Sequence, residues 1–488
     1  MENRIEILSK YCKEKAIIYP SSEIYGGIAG FYDYGHVGKL LKSNFENLWK
    51  FYFLNLNDNF YEIEGRNIMH EDVFKASGHL KNFVDPIVEC KKGHAERADK
   101  LIENALQIDA EALSIEEMNT KIKENNLKCP ICNSDLNEVH VKNLMYPIDI
   151  GIGDTNRAYL RPETAQTPFV NFKRQFEALR KKLPLGLAVI GRAYRNEISP
   201  RHFVLRQREF TQAELQIFFN PNEIEQHPDF NSVADYELRV FLSDKRQELP
   251  QLIQTKDLKL PKFYSYHMAK VQEFYFNLMK IPRAKFRFKE LNNDEKAFYN
   301  KYHFDIEIYL DDYGWLEIGG IHYRTDHDLH GHQEVSKEKM QISDDDGNKF
   351  IPHVLELSFG VDRNVFSLIN FAYGEDKERG NIVLNLPYNL APYKAAIFPL
   401  VNKLDEHAMK IHEDLKRSMC GDLSFKIYYD KSGSIGRRYA RADELGVKYC
   451  VTVDFETLDD ESVTVRDIES TEQNRIKIKD LRDYLIKL

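Results

Sequence analysis

Three short stretches of the chain carry arginines and carboxylates two residues apart, the spacing that puts side chains on one face of a β-strand. Arg195 and Glu197 share a face. So do Arg206, Arg208, Phe210, Gln212 and Glu214, and so do Glu356 and Ser358, which run directly into Gly360, Asp362 and Arg363. Two of the stretches are apolar at the alternate positions, Ala213, Leu215 and Ile217 in one and Leu355, Leu357 and Phe359 in the other. For any one strand the plain reading is a solvated polar face. Arginines interleaved with glutamates and an aromatic fit that reading poorly. Guanidinium forks match phosphate oxygens, an aromatic ring offers a stacking face, and carboxylates hold Mg²⁺ or an amine. The array suits a triphosphate, a purine ring and an ammonium group.

Periodicity indicates the elements that must position these residues. Leu41, Phe45, Leu48 and Tyr52 recur at helical spacing and predict a helix over 38–54. Residues 91–145 read as an insertion, with a charged helical stretch over 98–125 followed by Cys129-Pro-Ile-Cys132. Phe169, Phe172, Phe176 and Leu179 form a helix face, and β-rich runs over 185–197 and 206–219 flank a loop containing Pro200. Residues 221–300 read as a second, helix-rich insertion. Strands are predicted over 304–310, 315–323 and 354–360, with a helix over 362–373; short loops and antiparallel strands imply an α+β domain. Beyond Pro387 and Pro392, strands over 393–400, 425–429, 449–453 and 462–468 alternate with helices over 402–418 and 435–445 and a closing helix ending at Leu488. That alternation implies a small α/β domain with a mainly parallel sheet.

Composition bounds the function. The chain has 488 residues, 42% hydrophobic and 30% charged, as expected of a multi-domain globular protein and not of a disordered chain, a collagen or a disulfide mini-protein. No apolar run approaches the ~18 residues of a membrane span, and the N-terminus has no signal-peptide core. Six cysteines in this length point to a reducing compartment, hence the cytoplasm. A net charge of −9 excludes a wholesale basic nucleic-acid coat protein. Local patches remain: residues 171–210 hold ten Lys/Arg against three Asp/Glu, and 426–441 hold five against one, suited to a phosphate backbone.

The residues also resemble a family. Tyr194-Arg195-Asn196-Glu197, a loop, then Arg206-Gln-Arg208-Glu-Phe210 is similar to motif 2 of class II aminoacyl-tRNA synthetases, and Gly360-Val361-Asp362-Arg363 to motif 3. Arg161-Pro-Glu163-Thr-Ala-Gln166 narrows the resemblance to the glycyl-tRNA synthetases of the single-chain homodimeric type. Gly27-Ile-Ala-Gly30, Ser77-Gly78-His79, Arg97-Ala-Asp-Lys, Arg324-Thr-Asp-His-Asp and Gly436-Arg-Arg-Tyr-Ala-Arg fit the same family, so the resemblance covers essentially the whole chain.

The resemblance implies an antiparallel class II catalytic domain (1–90 and 146–386), the two insertions at 91–145 and 221–300, and a C-terminal α/β anticodon-binding domain (387–488). It implies ATP with Mg²⁺, glycine and tRNA(Gly) as partners, with no membrane. The ATP site would comprise Arg195, Asn196, Glu197, Leu205, Arg206, Gln207, Arg208, Glu209, Phe210, Glu317, Ile318, Gly360, Val361, Asp362 and Arg363. Arg195 would meet the α-phosphate, Arg206 or Arg208 the γ-phosphate, and Phe210 and Arg363 the two faces of adenine, with Glu317 near Mg²⁺; Arg195 and Arg363 carry catalysis. The glycine site would comprise Arg97, Glu163, Phe210, Thr211, Gln212, Ala213, Glu214, Arg324, Glu356, Leu357, Ser358, Phe359 and Gly360. The chemistry needs no protein nucleophile, because the glycine carboxylate attacks the α-phosphorus in line and the protein positions reactants and neutralises charge.

The chain departs from the family pattern in places. No motif 1 proline stands between Lys39 and Arg66. The partner of Cys129-Pro-Ile-Cys132 reads Cys90-Lys-Lys-Gly93-His94, so a zinc site would be Cys₃His, the alternative being a degenerate knuckle with free thiols. His322, His327, His330 and His332 cluster in sequence and read as hydrogen-bonding residues near a polar mouth rather than a second metal site. Gly35-His-Val-Gly38-Lys39 lacks the gap and the hydroxyl of a P-loop. Two rival functions are a histidyl-like class II enzyme, which would follow Arg-Pro-Glu with Gly-Thr, and a non-catalytic synthetase-like RNA-binding protein.

Overall fold

The computed structural model describes residues 3–486 apart from 111–112, 152–156, 201, 247–248, 294, 298, 345 and 420–424. Arg201 of the first basic patch, Cys420 and the last two residues of the expected closing helix lie outside the described residues. A nine-stranded sheet organises the chain, in the order Gln251–Gln254, Glu237–Phe241, Phe286–Glu290, Tyr302–Leu310, Gly314–Thr325, His353–Gly360, Glu209–Phe219, Leu185–Tyr194, Phe60–Glu62. Its central strands pair antiparallel.

Register decides which residues meet. Glu214 stands opposite Ser358, Gln216 opposite Glu356, and on the next strand Gly320 and His322 stand opposite Ser358 and Glu356. Residues directly opposite share a face, so these six and Gln212 line one side. The alternating apolar set faces the other side, where the helices His36–Leu54, Lys262–Glu273 and Val361–Ala372 cover it. Trp49 and Phe53 of the first helix pack on Phe359 with ring centroids 5.8 and 4.9 Å away. Each such buried side chain contributes about 1.5–3 kcal/mol. The helix Gln166–Ala178 lays Phe169 and Phe172 against Phe218 and closes the far end of the polar face.

The segment 221–300 differs from expectation. It holds the helix Lys262–Glu273 and three strands that extend the central sheet. The strands are short: only Val240 and Phe241 pair with the Phe286–Glu290 strand, and Leu238 and Val240 alone alternate cleanly. That is too little to dominate a sequence window. In the first insertion the helical stretch is two helices. Gln107 ends Ala98–Leu106 in a left-handed conformation, and a Ser114–Glu117 capping box starts Ile115–Glu124. These pack on a three-stranded sheet of Ala95–Arg97, Val84–Glu89 and His140–Asn143 around a core of its own. The C-terminal sheet is mixed rather than mainly parallel. Three parallel strands are extended antiparallel by Ser462–Asp467 and an additional strand, Gln473–Lys477. Among the described residues no helix is long and apolar enough to cross a membrane.

Candidate functional site

A cavity opens over the polar face, lined by Arg195, Glu197, Val204, Leu205, Arg206, Gln207, Phe210, Thr211, Gln212, Glu317, Ile318, Gly319, Ser358, Gly360, Asp362 and Arg363. The guanidinium of Arg195 lies between the rings of Phe83 and Phe210, 5.4 and 5.2 Å from their centroids, and its Nε donates to the carbonyl of Pro162 at 3.2 Å. Arg363 sits in the first turn of Val361–Ala372. Its Nε donates to the carbonyl of Leu205 at 3.0 Å and its Nη1 to that of Glu317 at 2.7 Å. Arg195 is thus aimed by a neutral carbonyl, and Arg363 by two carbonyls, with the exposed Glu317 carboxylate 3.6 Å from its Nη1. Arg206 is paired, with Nε 2.9 Å from Glu197 Oε2.

Arg206 and Arg208 part company here. The strand begins only at Glu209, so the two arginines belong to the preceding loop. Arg206 lines the cavity, whereas Arg208 donates to the carbonyls of Glu197 and Ala29 at 2.8 and 2.9 Å. That ties the loop to the Gly27–Gly30 turn, where Gly30 has φ +83° and a Cβ would come within 2.9 Å of Pro200. Several expected contacts take structural partners instead. Asp362 accepts from Lys42, Tyr34 and the Thr211 amide at 2.8, 2.7 and 2.5 Å, pinning the helix start to the sheet. Glu209 faces Arg192 at 3.5 Å. The side chains of Ala213, Leu357, Phe359 and Val361 lie in the core on the opposite face, and the Asn196 amide donates to Leu144 at 2.7 Å.

Deeper on the same face lies an acidic nest around one buried arginine. Arg324 forks onto Asp328 at 2.8 and 3.0 Å, reaches Glu356 Oε2 at 3.0 Å, and has Glu163 Oε1 at 3.8 Å. Gln216 donates to Glu356 Oε2 at 2.6 Å and Gln166 to Glu163 Oε1 at 2.9 Å. Among the described residues Glu214 has no cation in contact: its oxygens meet the hydroxyls of Thr164 at 2.7 Å and Ser358 at 3.3 Å. Burial pushes its carboxyl up to about 8, helped by the charges of Glu356 and Glu163. Burial also raises Glu356 against the pull of Arg324. For Glu163 burial is outweighed by His79 and Arg324, which hold its carboxyl well below the usual carboxylate range. Three glutamates and one aspartate against one arginine leave the nest short of a cation, the property an ammonium binder needs.

Arg97 is outside the cavity lining. It ends the Ala95–Arg97 strand, donates to Asp99 and has Asp85 at 3.4 Å. Its strand adjoins the 195–208 loop, since Ser199 Oγ donates to the Ala95 carbonyl at 3.4 Å. Beside it, Cys90, His94, Cys129 and Cys132 bring four ligand atoms within 4.8 Å of one another. The Cys90–Cys132 sulfurs are 3.7 Å apart, and His94 Nδ1 lies 3.6 and 3.7 Å from the sulfurs of Cys90 and Cys129. A tetrahedron with ~2.3 Å metal–sulfur bonds has edges of about 3.8 Å, so the group fits zinc. The clustered histidines do not converge: His332 faces Gln166, His330 faces Glu334, and His322 faces Glu356. In the second basic patch, Arg438 is buried on backbone carbonyls, Arg441 pairs with Asp430 and Lys431 with Asp405, while Lys426 and Arg437 are exposed.

Sequence reasoning assigned no role to Thr164, Gln216 and Asp328. Asp328 stands four residues after Arg324 at a helix start, a spacing that signals a pair; Thr164 and Gln216 carry no local signal.

The model of the tRNA synthetase class II core domain (G, H, P, S and T) matches residues 150–370, and that of the anticodon binding domain matches 394–488. The glycine–tRNA ligase of Pyrococcus abyssi is 38% identical, over 100% of this chain and 98% of that protein. That of Methanococcus maripaludis strain C5 is 35% identical, over 97% of each. Among solved structures, a threonyl-tRNA synthetase from Cryptosporidium parvum Iowa II superposes with a TM-score of 0.61 at 16% identity, covering 98% of this chain and 97% of that one. A prolyl-tRNA synthetase from Cryptosporidium parvum superposes with a TM-score of 0.59 at 13% identity, covering 100% and 76%. At those identities the likeness is one of fold.

Proposed function

This chain belongs to the glycine–tRNA ligase family of class II synthetases, and from that premise we propose how the cavity and the acidic nest divide the work of joining glycine to tRNA(Gly) with ATP. The cavity takes ATP with its Mg²⁺, and the nest takes the ammonium of glycine. Arg195 and Arg363 hold the phosphates, Phe210 and Arg363 flank adenine, and Glu317 at the mouth approaches Mg²⁺. Glu163, Glu214 and Glu356 supply the negative field, and Ser358 closes the space a β-carbon would need. The glycine carboxylate then lies between nest and cavity, where it attacks the α-phosphorus and pyrophosphate leaves; the adenylate is passed to the terminal ribose of the tRNA. The observation that carries this reading is Glu214, a buried carboxyl with only hydroxyl partners, on the same strand face as the cavity's Gln212.

Amino-acid-dependent ATP–pyrophosphate exchange tests it. Among the twenty amino acids glycine alone should support exchange. The pH dependence has a definite sign. A carboxyl raised to about 8 keeps its proton below that pH, and the ammonium must displace it, so kcat/KM for glycine should fall about tenfold per unit below pH 8. A flat profile between pH 6 and 8 would remove Glu214 from the ammonium site.

The remaining organisation follows the same reading. Residues 1–90 and 146–386 form the catalytic domain, with 91–145 inserted and 221–300 a second insertion within it, and 387–488 read the anticodon. Family membership supports a homodimer acting in the cytoplasm. Cys90, His94, Cys129 and Cys132 would hold a structural zinc that stabilises the first insertion and takes no part in the reaction. Metal analysis of protein prepared without chelators should find about one zinc per chain. Chelation should loosen the insertion, read as faster proteolysis within 91–145. Zinc-free protein with an equally resistant insertion would leave the free-thiol reading.

A further inference from the structure

His322 stands on the polar face opposite Glu356 and has no part in the reaction as described. Its ring is mostly buried, its Nε2 lies 3.6 Å from Glu356 Oε1, and its centroid lies 4.1 Å from that of His303. The amide of Asn300 lies 3.3 Å from His322 Nδ1 and 3.4 Å from His303 Nδ1. With the Asn300 Nδ2 group donating to both rings, each histidine carries its own proton on Nε2. For His303 that N–H faces Asp305 at 3.1 Å, and for His322 it faces Glu356. The other tautomer would set the Nε2 lone pair against a carboxylate oxygen. Burial, with His303 and Arg324 nearby, holds the His322 ring well below its usual pKa, so it remains a neutral donor. Position 320 makes room for it: a Cβ there would come within 2.4 Å of His322 Nε2.

We infer that His322 is a positioning residue for substrate recognition, fixing the Glu356 carboxylate from the side opposite Arg324 and Gln216 so that it meets the ammonium of glycine. Arg324 and Gln216 both bind Oε2, so neither of them reaches Oε1. The remaining charged groups about the ring are Glu163 and Asp305. This inference rests on the ammonium-pocket reading of Glu356, and its test separates the two.

Glycine and ATP kinetics in pyrophosphate exchange would be compared for H322A, H322Q and E356Q. H322A should raise KM for glycine about tenfold, the effect of losing a hydrogen bond to a charged group once the 3.6 Å approach shortens around bound glycine. KM for ATP and kcat at saturating glycine should stay within twofold. H322Q, which can still present an N–H to Oε1, should recover KM to within threefold of wild type. G320A, which displaces the ring and keeps the histidine, should reproduce the H322A defect. The inference is overturned if H322A leaves KM for glycine within twofold while E356Q raises it. It is also overturned if H322A and H322Q alike raise both Michaelis constants and lower kcat, the pattern of a general structural role. E356Q with an unchanged KM for glycine would instead overturn the pocket reading beneath it.

Discussion

Replacing Arg195 or Arg363 with alanine should lower glycine-dependent pyrophosphate exchange by about 10² to 10³, or ~3–4 kcal/mol of transition-state stabilisation. The geometry explains why these two arginines and not their neighbours. Arg195 is held by the Pro162 carbonyl and two aromatic faces, and Arg363 by the carbonyls of Leu205 and Glu317. Carbonyls orient a guanidinium without neutralising it, so the Arg195 charge remains available to a phosphate as it becomes pyrophosphate, and the solvent-exposed Glu317 carboxylate, 3.6 Å from Arg363, offsets that second charge only weakly. Arg206 must first leave Glu197, 2.9 Å away, so part of its attraction is offset and R206A should cost less. R208A should act differently again, by loosening the loop from the Gly27–Gly30 turn, and should be partly recovered at high ATP. Exchange within threefold of wild type in both R195A and R363A would sink the assignment.

Much of this site was legible because strands have a period of two. Glu214, Glu356 and Ser358 fall on one face and Leu215, Leu355 and Leu357 on the other, as alternation requires. The family resemblance added the pairing of distant segments, which no periodicity supplies. What remained illegible was tertiary. Thr164 reaches Glu214 across 50 residues and Gln216 reaches Glu356 across 140, and nothing local to either marks the contact. Asp362 and Arg363 both border the cavity, yet the carboxylate of one turns to Lys42 beneath the helix and the guanidinium of the other to the carbonyls of Leu205 and Glu317, because successive helical residues diverge by about 100°. Arg208 shows the complementary error. Strand spacing put it beside Phe210, but the strand starts one residue too late, and a loop arginine is free to turn toward the carbonyls of Glu197 and Ala29.

The second large effect concerns the substrate's ammonium. E356A should raise KM for glycine about a hundredfold, a loss of ~3 kcal/mol, with KM for ATP little changed, because a buried ammonium loses a partner that cannot be replaced by water. E163A should act in the same direction. The two differ in what they release. Removing Glu356 deprives Arg324 of its 3.0 Å contact while the fork on Asp328 persists. It also removes the larger of the two negative neighbours that raise Glu214. The Glu214 carboxyl then ionises more easily, and the acid limb of kcat/KM for glycine should move to lower pH. The defect should therefore be greatest above pH 8, where wild-type Glu214 is already ionised, and smaller near pH 6.5, where the variant no longer spends binding energy displacing a proton. A uniform loss of pocket shape would lower activity equally at all pH values. If E356A and E163A both kept near-normal kinetics for glycine, the ammonium would be held elsewhere and the pocket assignment would fail, although the chain would still be a synthetase. If the loss were large but independent of pH, Glu356 would bind glycine without setting the charge state of Glu214, and the coupling among the three glutamates would be the part that is wrong.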